Sequence, residues 1–294
     1  MYNFNQSCIL INKPSGISSN ETLRQIKKKL KQKKAGFSGI LDPMASGLLI
    51  IFLNKATKLC SYFSDADKEY DAVARLGKIS STGDGDGLIS NGNSIPKLSK
   101  TDLKMIEEKY TGKISQVPPM FSAIKHNGKR LYKYAREGIL INRKPRTIEI
   151  FKIEIKQIDS KHLGINVCCS KGTYIRALVE QIGEEIGCGA FLKKLVRTQI
   201  KDINISDSVT LDNFLALQNT QDIKNHIINV DKLLNNTYSY IASSQEKAHI
   251  LNGNKVKIDD KPCSNVKIYD QSKQFIGIGI INDQLELLPK KILV

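Results

Sequence analysis

The stretch Ala35-Gly36-Phe37-Ser38-Gly39-Ile40-Leu41-Asp42-Pro43-Met44-Ala45-Ser46-Gly47-Leu48-Leu49-Ile50-Ile51-Phe52 decides how the chain is read. Its end, Leu48 to Leu53, predicts an apolar strand. Gly36, Gly39 and Gly47 bracket a loop in front of that strand. The loop carries one carboxylate, Asp42. Pro43 biases Asp42 toward extended backbone, while Leu41 and the apolar run anchor the loop in the core. An acid held between apolar anchors samples few conformers, as a nucleophile or base requires. Asp-Pro is also a common turn starter, so on these residues alone both readings stand.

On the N-terminal side, residues 20–34 (NETLRQIKKKLKQKK) predict a basic helix with Leu23, Ile26 and Leu30 as its apolar stripe. Its cations fit a solvated face or a phosphate-facing one. On the C-terminal side, KEYDAVARLG (68–77) predicts a strand, TGDGDG (82–87) a turn, and residues 101–110 a short helix with Leu103 and Ile106 inward. Residues 125–146 hold eight Lys or Arg and the single acid Glu137, interleaved with Tyr132 and Tyr134. Basic charge mixed with aromatics suits RNA contact; a surface helix with its tyrosines on the core fits equally. Residues 147–158 and 163–169 alternate as paired strands. A turn, SKGT, then opens a helix at Tyr174 whose stripe is Ile175, Leu178, Val179, Ile182 and Ile186, with Gly187 as C-cap. Arg176 falls off that stripe and by itself reads as a helix-surface cation. After Val230 the texture changes to short β-like runs (KVKI, NVKIYD, QFIGIGIIN, LELL), which predict a small β-rich domain of about 60 residues.

The chain has 294 residues and a formal charge of +16. A bias of this size points to a polyanionic partner, nucleic acid above all; a Lys-rich proteome is the bland alternative. Its longest apolar run, Gly47 to Leu53, is far short of the ~18 residues of a membrane span, so no membrane association is expected. The N-terminal residues lack the pattern of a signal peptide. Six cysteines and four histidines are scattered, with no Cys-x-x-Cys pair. This argues against a zinc site and for reduced, mostly buried thiols in a cytoplasmic protein.

The segment GILDPMASGLL, with NKPSGISSN upstream, resembles the TruB family of tRNA pseudouridine-55 synthases. Three further stretches agree in order. DKEYDAVARLG resembles the strand that carries the family's active-site tyrosine, TGDGDG its T-x-D-x-D-G turn, and SKGTYIRAL its strand-to-helix turn with an arginine. The tail, with NGNKVKI and FIGIGII, resembles the family's PUA-like RNA-binding domain. The resemblance implies an α/β (α+β) pseudouridine-synthase-like fold. A mixed, largely antiparallel sheet would fill residues 1–231, and a small C-terminal PUA-like β-barrel domain residues 232–294.

The implied reaction converts uridine-55 in the T-loop of tRNA to its C-glycoside isomer, with no cofactor, no metal and no obligatory protein partner; a monomer is expected. The resemblance makes Asp42 the catalytic nucleophile, Arg176 its ion partner and Tyr70 the aromatic that stacks on the flipped uracil and assists at C5. An ion pair of this kind lowers a carboxylate pKa by roughly 1–3 units, so Asp42 is expected to ionise readily. Tyr174 and Leu195 match positions lining the uracil pocket. Asp84 matches the acid of the turn, either contacting the uridine or only shaping the turn. Lys13 matches the basic residue of a KP motif, which either supports the Asp42 loop or meets a phosphate. Phe37 stands where the family usually has His; its flat face still stacks in the space left by the extruded nucleotide. Two other readings fit the same motifs: a dyskerin-type subunit guided by RNA, and an RNA-binding protein that no longer catalyses.

Overall fold

The computed structural model describes residues 4–235 and 237–294. The apolar run becomes β3 of a series that begins β1 (Ser7–Lys13), α1 (Ser19–Leu30), β2 (Ala35–Phe37), β3 (Ser46–Leu53) and β4 (Lys68–Leu76). It continues α2 (Lys100–Tyr110), β5 (Gly112–Gln116), α3 (Leu131–Arg136), β6 (Arg146–Asp159), β7 (His162–Cys169), α4 (Ile175–Ile186) and β8 (Ala190–Ile200). The spine of the large sheet runs β1-β3-β8-β4-β7-β6-β5. Its pairings are antiparallel except at β3 and β8, which run side by side in parallel and set Val196 against Ser46 and Arg197 against Gly47. The mixed, largely antiparallel sheet expected from the sequence is therefore present.

Leu48 to Leu53 are all fully buried. Leu48, Ile50 and Phe52 pack with Phe63 and Leu293, while Leu49, Ile51 and Leu53 pack with Ile26, Leu30 and Phe214. A strand buried on both faces has no polar side to alternate with, which explains its unbroken apolar sequence. β4 does alternate, and its Tyr70, Ala72, Ala74 and Leu76 join the core formed with Ile175, Leu178, Val179 and Ile182 of α4.

α1 ends four residues earlier than its charge pattern predicts. Ser18 caps its start, and Lys31, at φ 54°, turns the chain out after Leu30 so that β2 can begin at Ala35. No glycine marks this end. In the basic stretch 125–146, a tight hairpin precedes the single-turn helix α3. Its tyrosines pack on neighbouring cations instead of the core: Lys129 Nζ lies 4.6 Å from the Tyr134 ring centre and the Arg136 guanidinium 5.6 Å from that of Tyr132.

The tail forms β9 (Tyr238–Ala242), α5 (Ser244–Leu251), β10 (Val256–Lys257), β11 (Cys263–Asp270), β12 (Phe275–Ile281) and β13 (Glu286–Ile292). The strands pair as β9-β11-β12-β13-β10, a half-barrel of the PUA-like kind. One face closes on its own core of Ala242, Ile250, Val266, Ile268 and Leu287. Phe275, Ile278 and Leu293 instead join Cys8, Leu10 and Phe52 of the large sheet. The Gln6 amide donates to the Phe275 carbonyl at 3.0 Å across the same junction. Among the described residues, no helix is long and apolar enough to cross a membrane.

Candidate active site

The Asp42 loop is held by groups of the preceding NKPSGISSN segment. The Ser19 hydroxyl accepts from the Leu41 N–H at 2.9 Å and lies 3.1 Å from the Leu41 carbonyl, to which it can donate. Gly16 N–H donates to the Pro43 carbonyl at 2.8 Å, and the Ser15 hydroxyl to that of Met44 at 2.7 Å. Lys13 is fully buried, and its ammonium donates to the carbonyls of Pro14 (2.8 Å), Ile17 (2.7 Å) and Pro43 (3.5 Å). The N-terminal motif thus acts as a bracket for the loop. Burial and the nearby Arg197 charge lower the Lys13 pKa to about 8.

Leu41 and Ala45 are buried in the core, while the Asp42 side chain between them stays 35% exposed and open to a substrate. Arg176 meets it from α4. The two residues are 134 positions apart in sequence, yet Arg176 Nε donates to Asp42 Oδ2 at 2.9 Å. Nη1 donates to the Thr82 carbonyl at 2.8 Å and Nη2 to the Phe121 carbonyl at 2.7 Å. One guanidinium therefore ties together the Asp42 loop, the TGDGDG turn and the 119–123 loop. Arg176 is 4% exposed. Taken alone it read as a surface cation; in the fold, loops cover the face of α4 that periodicity leaves unassigned.

Asp84 is buried and lies 3.6 Å from Arg176 Nε, a second carboxylate on the same cation. Its Oδ1 accepts from the Thr82 hydroxyl at 2.5 Å and from Asp86 N–H at 3.1 Å. These bonds fold the turn around it, as its T-x-D spacing allows. Burial raises the Asp42 pKa above the ordinary aspartate value despite the pull of Arg176. The sequence expectation weighed the ion pair more heavily. Removal of water and the second carboxylate at Asp84 together outweigh it.

Tyr70 and Leu195 are buried in one cluster with Leu41. Burial raises the Tyr70 phenol pKa, keeping it neutral near pH 7. Tyr174 is the N-cap residue of α4. The Gln116 amide brackets its peptide, accepting from Tyr174 N–H at 2.8 Å and donating to the Tyr174 carbonyl at 3.1 Å. Phe37 lies on β2 opposite Ile51, half-buried against the cluster of Ile26 and Leu49. Asp42, Arg176 and Asp84 thus make one charged group, with Tyr70 and Leu195 packed in the same core as Leu41. Phe37 stands behind the loop, and Lys13 binds carbonyls of the N-terminal segment at Pro14 and Ile17 and, more distantly, that of Pro43 in the loop.

Three contributors were not singled out from sequence. Gln116 holds the start of α4, and the 119–123 loop supplies a carbonyl to Arg176. Arg197, 1% exposed on β8, donates through Nε to the Leu48 carbonyl at 2.8 Å and through Nη2 to those of Gly39 (3.1 Å) and Ser38 (3.4 Å). A Leu-Val-Arg-Thr strand gives only one signal of this, a charged residue at a position set to face inward. Chemically, the assembly offers a reachable carboxylate on a rigid loop, a fixed cation beside it and an aromatic in the adjacent wall.

Residues 27–175 match the family model described as TruB family pseudouridylate synthase (N terminal domain). Residues 176–235 match the tRNA pseudouridylate synthase B C-terminal domain, and residues 243–293 the C-terminal region of pseudouridine synthase II TruB. A tRNA pseudouridine synthase B of Nitrosococcus oceani is 37% identical over 288 residues, covering 97% of this chain and 94% of that protein. Its namesake from Francisella philomiragia is 40% identical over 284 residues, covering 96% and 93%. A chain in a crystal structure of a Cbf5-Nop10-Gar1 complex shares the fold, with a TM-score of 0.75 at 23% identity over 99% of this chain and 86% of that one. With the family models spanning most of the sequence and close relatives aligned nearly end to end, the chain belongs to the TruB family of pseudouridylate synthases.

Proposed function

We propose that this protein isomerises uridine-55 in the T-loop of tRNA to pseudouridine, with Asp42 as the nucleophile. The observation that carries the reading is the 2.9 Å contact between Arg176 and Asp42, a pair that leaves the carboxylate reachable while fixing its direction. A free carboxylate oxygen bonds to C1′ as the C1′–N1 bond breaks. The released uracil anion turns, and its C5 takes the place of the carboxylate on C1′. The proton leaves C5 with the Tyr70 hydroxyl assisting, and N1 gains one. Nothing is gained or lost overall, so no cofactor or metal enters the balance.

The remaining roles are those that the family resemblance supports. Tyr70 stacks on the flipped uracil, Tyr174 and Leu195 line its pocket, and Asp84 shares Arg176 and shapes the rim. Lys13 supports the loop. Phe37 stacks in the space the nucleotide vacates. The basic segments 24–34 and 125–146 clamp the tRNA backbone, so affinity falls steeply as salt rises. The enzyme acts as a cytoplasmic monomer with no obligatory protein partner. The family assignment supports the reaction class, and the relatives' names support the tRNA substrate.

The test is pseudouridine mapping in a tRNA transcript treated with the purified protein or with Asp42→Asn. One modified site at position 55 is expected with the wild type and none with the variant, both proteins binding the tRNA alike. Modification elsewhere, or turnover by Asp42→Asn, would overturn the reading.

A further inference from the structure

Among the described residues, Arg197 is the largest fully buried side chain, and none of them supplies it a carboxylate within ion-pair distance. The Tyr70 phenol lies within its electrostatic reach, but the groups that accept its hydrogen bonds are backbone carbonyls. The register explains its place between two strands. β8 lies between β3 and β4, so that Arg197 pairs with Gly47 on one side and Tyr70 on the other. From there the guanidinium reaches the Leu48, Gly39 and Ser38 carbonyls, which flank the Asp42 loop at both ends. Gly39 and Gly47 leave the room: a Cβ at Gly39 would lie 3.2 Å from Arg197 Nη1, and one at Gly47 2.3 Å from the Arg197 carbonyl oxygen. Lys68 closes the same wall, its ammonium donating to the Ser64 carbonyl at 2.8 Å while the Ser64 hydroxyl accepts from Gly39 N–H at 2.9 Å.

A buried guanidinium without a carboxylate is costly unless its N–H groups are all engaged. One bonded to carbonyls at both ends of a loop ties that loop to its own strand. We infer that Arg197 is a positioning residue for the isomerisation, fixing the Asp42 loop by the carbonyls at its two ends and holding it against the strand that carries Tyr70. This rests on the roles proposed above for Asp42 and Tyr70.

Arg197→Gln keeps hydrogen-bonding capacity and removes the charge. Single-turnover pseudouridine formation by the full-length enzyme should slow by roughly tenfold or more at neutral pH. The deficit should stay constant with pH, because the buried Tyr70 phenol keeps its proton at mildly alkaline pH with or without that charge. Affinity for tRNA, measured by filter binding, should hold within about twofold. Arg197→Lys, which keeps the charge but loses the fork, should slow the reaction by the same factor at every pH, and it serves as the second probe if the Gln variant does not fold. A loss of tRNA affinity that matches the loss of rate, or a wild-type rate in either variant, overturns the inference. Asp42→Asn, assayed alongside, separates the two layers: its continued turnover would remove the nucleophile assignment, whereas a full-rate Arg197→Gln enzyme removes only the role of Arg197.

Discussion

Arg176 and Arg197 are both nearly inaccessible, at 4% and 1% exposure, yet they are held by different kinds of partner. Arg176 faces two carboxylates, one of which remains open to substrate; Arg197 faces carbonyls and a phenol. The first arrangement places compensating charge beside a carboxylate that remains partly exposed. The second ties backbone to backbone with the strength of charge-assisted hydrogen bonds. Burial alone therefore does not show which cation belongs to the chemistry; the acceptor does.

The largest effect should come from breaking the first arrangement. Arg176→Met leaves Asp42 and Asp84 with no guanidinium between them and frees the carbonyls of Thr82 and Phe121. Removing one partner of a buried pair costs about 3 kcal/mol or more, and turnover should fall below detection. Chemical denaturation and a single-turnover assay read the two losses. A variant that stays active would show that the ion pair is structural only.

Gly47→Ala attacks the second arrangement next. Gly47 sits at φ 112°, and the added Cβ would meet backbone of β8, which cannot swing aside. A loss of about 3 kcal/mol in folding stability is expected. Gly39→Ala is the milder counterpart. Its φ of 63° costs about 1–2 kcal/mol for a residue with a Cβ, and its nearest neighbour is the end of the Arg197 side chain, which can shift. Equal losses in the two variants would mean that Arg197 is as rigid as the strand beside it.

The pH response separates function from stability at Asp42. Its carboxyl keeps its proton to a higher pH than in the unfolded chain, because it is buried. As pH falls through the folded pKa, the folded state binds the extra proton and this group's cost to stability disappears; above that pKa the cost is complete. The nucleophilic role proposed for it needs the ionised form. The rate should therefore decline on the acid side at a pH above the ordinary aspartate range, where this group's contribution to stability is improving. By the same sign, Asp42→Asn should melt no lower than the wild type at neutral pH while being inactive. An acid limb at or below the ordinary aspartate value would show that Arg176 overrides burial.

Much of this contrast was legible beforehand, and the gaps have physical causes. The Asp42 loop stood out because Gly, Pro and an unbroken apolar run each constrain backbone locally. The stripe of α4 and the Gly187 cap, at φ 83°, follow the same local logic. The burial of Arg176 and Arg197 was not legible. A helix stripe reports only the face that meets the core, and the other face of α4 is covered by loops distant in sequence. Arg197 depends on which strands flank β8, a matter of topology. Helix α5 was missed although Ser243 and Glu246 form a capping box, a signal present in the sequence.

Phe37 gives the smallest expected effect and tests how far the loop region differs from the buried wall. Its ring is half-buried on β2 against the Ile26 and Leu49 cluster, with no part in the network of either arginine. Phe37→His keeps a flat ring able to stack, worth ~1–3 kcal/mol per base, and adds a hydrogen-bonding edge at the expense of some apolar contact. Affinity for tRNA should change by about threefold or less, with the single-turnover rate nearly unaltered. A gain of orders of magnitude in turnover would mean that the ring at this position acts on the reaction itself, and would bring Phe37 into the group with Arg176.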